Sequence, residues 1–367
     1  MSGPTLSRLQ VHNVRNLNHV ALEDLQRVNV FFGRNGSGKT SILEAIHLLA
    51  MARSFRGSIK SLITHGLDQA TVFGQMAPNN LTIGVQRDRR GEVRIKVGGQ
   101  PVRTVAELAE RLPVQVINAD SFELLTGAPG FRRQFLDWGV FHVEHRFFEQ
   151  WLRFQRGIKQ RNKLLRRGNI GPQELSIWTH DLAAAGEALT EYRKAYFQLL
   201  KPRFKAIMIR LAPSLAEGLA LRFRQGWDQD ASFEVALQNS EATDLEQGFT
   251  HVGPQRADIR VTLDGHPAAE TLSRGQQKLV VCGLKLAQGH LLSAMDDGAC
   301  TYLVDDLPSE LDRQHCELVC QQLDAMNAQV FVTCVHKSDI AQVWPLESRG
   351  QLAMFHVEHG TVAAEGR

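Results

Sequence analysis

No apolar run in this 367-residue chain approaches the roughly 20 residues that crossing a bilayer requires. The start, Met1 to Gln10, also lacks the basic-then-apolar layout of a signal peptide. A cytoplasmic protein without membrane contact is therefore expected. Cysteine is scarce: Cys282, Cys300, Cys316, Cys320 and Cys334 all lie in the last quarter, without the paired C-x-x-C spacing of a zinc site or the look of a secreted disulfide framework. They read as reduced core thiols. Pro/Gly/Ser-rich tracts are missing, and 43% hydrophobic with 22% charged residues are values of a chain that folds throughout. Strong net charge is missing as well. A formal +3 decides nothing about partners, because it averages over faces that differ.

One local absence is more informative. Between Glu149 and Glu174 there is no acidic residue, while Arg153, Arg156, Lys159, Arg161, Lys163, Arg166 and Arg167 all fall there. The length exceeds the usual single-domain range, so two lobes are expected. Strands are predicted at Ser7 to His12 and Val28 to Phe32, then a helix from Lys39 with Ile42, Leu43, Ile46, Leu49 and Ala50 on one buried face. Short alternating runs at Thr71 to Phe73, Leu81 to Val85 and Val93 to Val97 predict antiparallel strands. Phe131 to Leu211 is mostly helical, interrupted at Gly168-Asn-Ile-Gly-Pro172, which predicts an antiparallel pair of long helices. Strand-like runs return at Leu219 to Phe223 and Ile259 to Leu263. The expected fold is α/β: a head of residues 1–130 and 246–367, interrupted by a mainly helical lobe over 131–245. The pentapeptide Phe141-His-Val-Glu-His145 recurs at Phe355 to His359 and reads as coincidence.

Gly33-Arg34-Asn35-Gly36-Ser37-Gly38-Lys39-Thr40 satisfies G-x-x-x-x-G-K-[ST] between a predicted strand and a predicted helix, the context of a P-loop. Its glycines let backbone N–H groups curl around phosphate oxygens, Lys39 neutralises phosphate charge, and Thr40 offers a hydroxyl to Mg²⁺. Ser41 completes the expected ATP-binding segment. Thr301-Tyr-Leu-Val-Asp305 is an apolar strand ending in an acid, the pattern of a Walker B element whose Asp305 holds Mg²⁺ directly or through water. Asp306 follows where ABC-type ATPases usually place a glutamate that orients the attacking water, and is assigned the general-base or water-positioning role; being one methylene shorter, it predicts slow turnover.

Leu272-Ser-Arg-Gly-Gln276 resembles the L-S-G-G-Q signature of ABC-type ATPases, and Ser309-Glu-Leu-Asp312 their D-loop. That resemblance implies an ABC-type P-loop head and an ATP-sandwiched homodimer, in which Ser273, Gly275 and Gln276 of one subunit complete the other's site. The switch histidine of transporters is missing, since Thr333 and Cys334 occupy its place; His336 is a weak candidate, as is Gln115 for the Q-loop.

Further segments narrow the class. Arg15-Asn16, Leu43-Glu-Ala-Ile46, Arg53-Ser-Phe-Arg56, Arg132-Arg-Gln-Phe-Leu-Asp137, Gln160-Arg-Asn162 and Gly253-Pro254, together with the signature, Asp305-Asp306 and the D-loop, resemble the RecF family in order. Asn118-Ala-Asp120 and Gln255 depart from its usual residues. The resemblance implies an ATPase that dimerises on ATP, binds DNA at gaps or single-strand/duplex junctions, hydrolyses slowly with DNA stimulation, and works with RecR and RecO in loading RecA. The candidate DNA contacts are Arg153, Arg156, Lys159, Lys163 and Arg167 at three-to-four spacing, with Arg89, Arg90 and Arg94 on the head hairpin. Three other readings share parts of this pattern. A transporter subunit would carry the missing glutamate and switch histidine, and an SMC or Rad50 head would carry far longer arms than Phe131 to Leu211. A nucleotide-controlled clamp, with hydrolysis only resetting it, overlaps with the favoured reading.

Overall fold

The computed structural model describes residues 4–168, 172–295 and 298–365. The chain divides into two compact units, one of residues 1–121 with 278–367 and one of residues 122–277.

The first unit contains two six-stranded sheets. In one, β1 (Thr5–Val14), β2 (Leu17–Leu22), β4 (Gln69–Ala77), β5 (Leu81–Asp88), β6 (Val93–Val97) and β7 (Gln100–Val102) run in the order β2-β1-β4-β5-β6-β7, every pair antiparallel. Alternation along β4 puts Ala70, Val72, Gly74 and Met76 inward, as expected for a sheet with one buried face. The other sheet combines β3 (Val28–Phe32), β8 (Val114–Ile117), β12 (Thr301–Val304), β13 (Gln329–Cys334), β14 (Leu352–Glu358) and β15 (Thr361–Ala364) in the order β15-β14-β3-β13-β12-β8. It is parallel except for the edge strand β15. Continuous burial along β12 and β13 is the signature of parallel strands covered on both faces.

The helix Lys39–Met51 packs against strands of both sheets within one core that joins Leu9, Val72 and Ile83 to Phe31, Leu303 and Phe331. The single buried face predicted for it is therefore wrong. Nearly every position is buried, Glu44 and His47 included, because a helix between two sheets has no solvent side.

In the second unit the helices Phe147–Arg167 and Pro172–Leu211 pack together. They are antiparallel: Arg161 bonds to Thr179, whereas Phe154 comes up against Gly186. The predicted break spans residues 168–172, of which 169–171 lie outside the described residues. This unit begins at 122 rather than 131, and it extends past 245 because β9 (Leu219–Arg224) pairs antiparallel with β10 (Asp258–Leu263), drawing later chain into a β11-β10-β9 sheet with His266–Pro267 as β11. The repeated pentapeptide takes two conformations. Its first copy ends the helix Pro129–Val143 and its second lies in β14.

Candidate nucleotide site

β3 runs straight into the P-loop, and the loop needs its glycines. Gly33 has φ +149°, and a Cβ there would lie 2.2 Å from the Val357 carbonyl oxygen; Gly38 has φ +119°, and its Cβ would press on Asn16 and Leu17. Arg34, Asn35 and Gly36 form the exposed tip, while Ser37, Gly38 and Lys39 are buried. The base of the loop is held from outside. Asn16 donates to the Ser37 carbonyl (3.1 Å) and accepts from the Ser41 hydroxyl (2.9 Å), and the Gly360 N–H also donates to Ser37 O (2.8 Å). Lys39 Nζ donates to the carbonyls of Gly33 (2.7 Å) and Arg34 (2.9 Å). Burial lowers the Lys39 pKa, against the opposing pull of Asp306, Cys334 and Asp305.

Parallel register sets the ends of β3, β13 and β12 side by side, so the P-loop, Thr333 and Asp305 meet at the carboxyl edge of the sheet, where ligands of open α/β sheets bind. The Thr40 hydroxyl lies 2.8 and 3.1 Å from the two Asp305 carboxylate oxygens. Thr333 donates to Asp305 Oδ1 (2.8 Å) and accepts from the Asp306 N–H (2.8 Å). Asp306 itself has φ +53°, and its Oδ1 is buried without a hydrogen-bond partner among the described residues.

This site fits a magnesium nucleotide on its own chemistry. Among the described residues, the N–H groups of Gly36, Gly38, Lys39 and Thr40 have no hydrogen-bond acceptor, and the buried Ser37 hydroxyl has no partner. A row of unspent donors at a helix N-terminus suits phosphate oxygens. A hydroxyl beside a carboxylate, Thr40 with Asp305, is a hard-cation donor set of the kind Mg²⁺ takes.

The signature segment belongs to the second unit up to Gln277. Ser273 and Gln276 form a reciprocal capping box: the Ser273 N–H donates to Gln276 Oε1 (2.9 Å), and the Ser273 hydroxyl accepts from the Gln276 N–H (3.4 Å). Ser273 and Gly275 are exposed at the start of the helix Arg274–Ser293. In the D-loop, Asp312 caps the helix Arg313–Ala325 through the His315 N–H (3.0 Å), which keeps its carboxyl below the usual range. Glu310 pairs with Lys278 at 2.7 Å.

Several predicted positions serve elsewhere. Gln115 is buried, donating to Gln288 (2.8 Å) and accepting from Lys285 (3.3 Å), so its amide is spent inside the sheet-helix packing rather than in a Q-loop. His336 is exposed beyond the end of β13, where Thr333 contacts Asp305 instead. Arg89 donates to the carbonyls of Leu67 and Thr64 at 2.6 and 3.1 Å, which makes it a brace of the head hairpin rather than a free cation. Arg94 sits 3.5 Å from Glu92, whereas Arg90 is exposed. On the basic helix, Arg161 is fully buried against Asp244 and Arg153 pairs with Asp181. Arg156, Lys159, Lys163 and Arg167 remain exposed, without an acidic partner among the described residues.

Three residues that the motifs do not include, Asn16, Gly360 and Thr333, touch the loop and Asp305 from distant parts of the chain. Arg15-Asn16 is visible in the sequence only as part of the family pattern. Nothing in local spacing signals Gly360.

Comparison with known proteins agrees with this geometry. The family description "RecF/RecN/SMC N terminal domain" matches residues 5–362. The DNA replication and repair protein RecF of Stutzerimonas stutzeri is 51% identical over 362 residues, covering 98% of this chain and 97% of that protein. The RecF of Pseudomonas paraeruginosa is 48% identical over 363 residues, with the same coverage. A solved structure of the recombination mediator RecF with ATP, in the RecFOR pathway, superposes with a TM-score of 0.87 at 25% identity, covering 99% of this chain and 98% of that one. The Smc head domain of Pyrococcus furiosus shares the fold, with a TM-score of 0.60 at 13% identity. A P-loop joined to an Asp305-Asp306 strand end in an ABC-type head, and half-identical relatives along the whole length, establish that this chain belongs to the RecF family of DNA replication and repair proteins.

Proposed function

We propose that the chain binds ATP with Mg²⁺ at the P-loop and hydrolyses it slowly, using the nucleotide to close a homodimer on DNA. The observation that carries this is the Thr40–Asp305 contact with the unpartnered Asp306 carboxylate beside it. Thr40 and Asp305 would hold the cation, which when bound neutralises charge developing on the phosphates. Lys39 and the free N–H groups of the loop bind the phosphate oxygens, and Asp306 orients the attacking water and takes its proton. Ser273 and Gly275, exposed at a helix N-terminus, complete the site of a second copy, as the class implies.

The exposed Arg156, Lys159, Lys163 and Arg167 support contact with DNA phosphates, largely independent of sequence. The relatives named for DNA replication and repair, and the solved mediators of the RecFOR pathway, support action at gaps or duplex junctions with RecO and RecR, ahead of RecA loading, in the cytoplasm. Among the described residues no helix is long and apolar enough to cross a membrane.

The deciding experiment measures ATP hydrolysis and oligomeric state with and without gapped duplex DNA, for wild type and Lys39→Met. Wild type is expected to dimerise on ATP and to turn over faster with DNA, and the variant to do neither. Hydrolysis indifferent to DNA would remove the repair role while leaving the ATPase. ATP-dependent dimers and DNA binding retained by Asp306→Asn without turnover would favour the clamp reading.

A further inference from the structure

Thr333, with Cys334, stands where transporters place a switch histidine, and its hydroxyl both donates and accepts. A hydroxyl has one proton to donate and lone pairs to accept. Here the proton goes to Asp305 Oδ1 at 2.8 Å, and the lone pair takes the N–H of Asp306 at 2.8 Å. Both acids thus hang on one side chain of the neighbouring strand. Thr333 is itself completely buried, opposite Phe31 in the register that leads from β3 into the P-loop.

The two bonds have separable consequences. Asp305 Oδ1 receives two hydroxyls, Thr40 from the P-loop helix and Thr333 from β13, which fixes the plane of its carboxylate relative to the cation site. The bond to the Asp306 N–H anchors a peptide at a residue with φ +53°, a left-handed conformation that a non-glycine residue adopts at a cost. That turn directs the Asp306 side chain, whose Oδ1 is buried and unpartnered.

We infer that Thr333 is the positioning residue of the hydrolytic site, setting the orientation of both Asp305 and Asp306 through one hydroxyl, in the place of the switch histidine. Its role is to act through these two acids. The inference rests on the ATPase reading, and the test separates the two.

Thr333→Val keeps shape and removes both bonds; Thr333→Ser keeps both bonds and removes a methyl group. For each, three quantities are measured alongside wild type and Asp306→Asn: affinity for a fluorescent ATP analogue without Mg²⁺, the Mg²⁺ concentration that half-saturates analogue binding, and single-turnover hydrolysis. Thr333→Val should bind the analogue without Mg²⁺ as wild type does. It should need severalfold more Mg²⁺ and hydrolyse about tenfold to a hundredfold more slowly, the scale expected when a reacting group is misplaced by about 1 Å. Thr333→Ser should recover most of both losses. Combining Thr333→Val with Asp306→Asn should add little to the Asp306→Asn defect in turnover.

Thr333→Val that matches wild type in Mg²⁺ demand and turnover, while Asp306→Asn is inactive, overturns the positioning role alone. Equal loss in Thr333→Val and Thr333→Ser also overturns it, since packing rather than the hydroxyl would then be at stake. If wild type hydrolyses nothing, the ATPase reading falls; if Asp306→Asn hydrolyses normally, the water-positioning role of Asp306 falls, and with it the part of the inference that runs through Asp306. The Mg²⁺ half-saturation still tests the hold of Thr333 on Asp305.

Discussion

Two buried polar clusters, one in each unit, show how a structural group differs from a functional one. In the helical unit the Arg161 guanidinium and the Asp244 carboxylate are completely buried and 2.7 Å apart. Thr250 accepts from Arg161 (2.7 Å), and Asp244 also takes the His251 N–H (2.9 Å). Charge is balanced, and among the described residues Arg161 Nη2 is the one side-chain atom of this cluster without a partner. In the head, Lys39 faces two acids, Asp305 and Asp306, so the balance is negative. The Asp306 carboxylate and the Ser37 hydroxyl hold unspent capacity, and the loop N–H groups are open. A buried group left short of partners weakens a fold unless something else binds there. The helical cluster is satisfied within the protein, whereas the head cluster keeps capacity for the cation and phosphates proposed to bind there.

This contrast predicts opposite responses to mutation. The largest effect should come from Asp306→Asn, with turnover lower by about 10²- to 10⁴-fold. Urea unfolding of that variant should show stability unchanged or raised, because a group held for function is relieved. Arg161→Met should do the reverse, lowering unfolding free energy by about 3–5 kcal/mol through the stranded Asp244 charge. A loss under about 1 kcal/mol would mean that the helical pair does not depend on this ion pair.

Acid should act next. His47 is buried, donates from Nδ1 to the Arg53 carbonyl (2.7 Å), and is pushed down to about 4, chiefly by burial. Its folded pKa lies below the unfolded value near 6.5, so its stabilisation is complete above about pH 6.5 and is lost as pH falls toward 4, by an amount on the order of 3 kcal/mol. Unfolding curves of His47→Asn should lack that share of the acid slope between about pH 6.5 and 4.

The smallest effect sharpens the comparison at the surface. Reversing Arg156 and Lys163 to Glu should weaken DNA binding and flatten its salt dependence by about one log unit of slope for each phosphate no longer neutralised. Arg89→Gln should leave that slope alone, since its guanidinium already serves Leu67 and Thr64.

Motifs read from the sequence divide along the same line. Arg132 and Asp137 resemble family positions, yet they hold Asp258 (2.7 Å) and Arg193 (2.7 Å) inside the helical unit. Arg15 likewise clamps the buried Glu44 at 2.8 Å from beside the P-loop helix. A family pattern therefore marks scaffold and site alike, and only contacts distinguish them. Helical spacing put Arg161 among the other cations of its segment, because spacing carries no information on what lies opposite.

Local chemistry was enough to single out the Gly33–Thr40 loop, the Asp305-Asp306 pair and the Leu272–Gln276 segment as candidates, since each is a short run whose backbone needs and side-chain functions are contiguous. It also distinguished alternating from continuous strands. Folding alone decided which cations face solvent, that Thr333 rather than His336 meets Asp305, and that Phe-His-Val ends a helix at 141–143 but is extended at 355–357. These outcomes depend on strand register and on partners far along the chain, and a five-residue window contains neither.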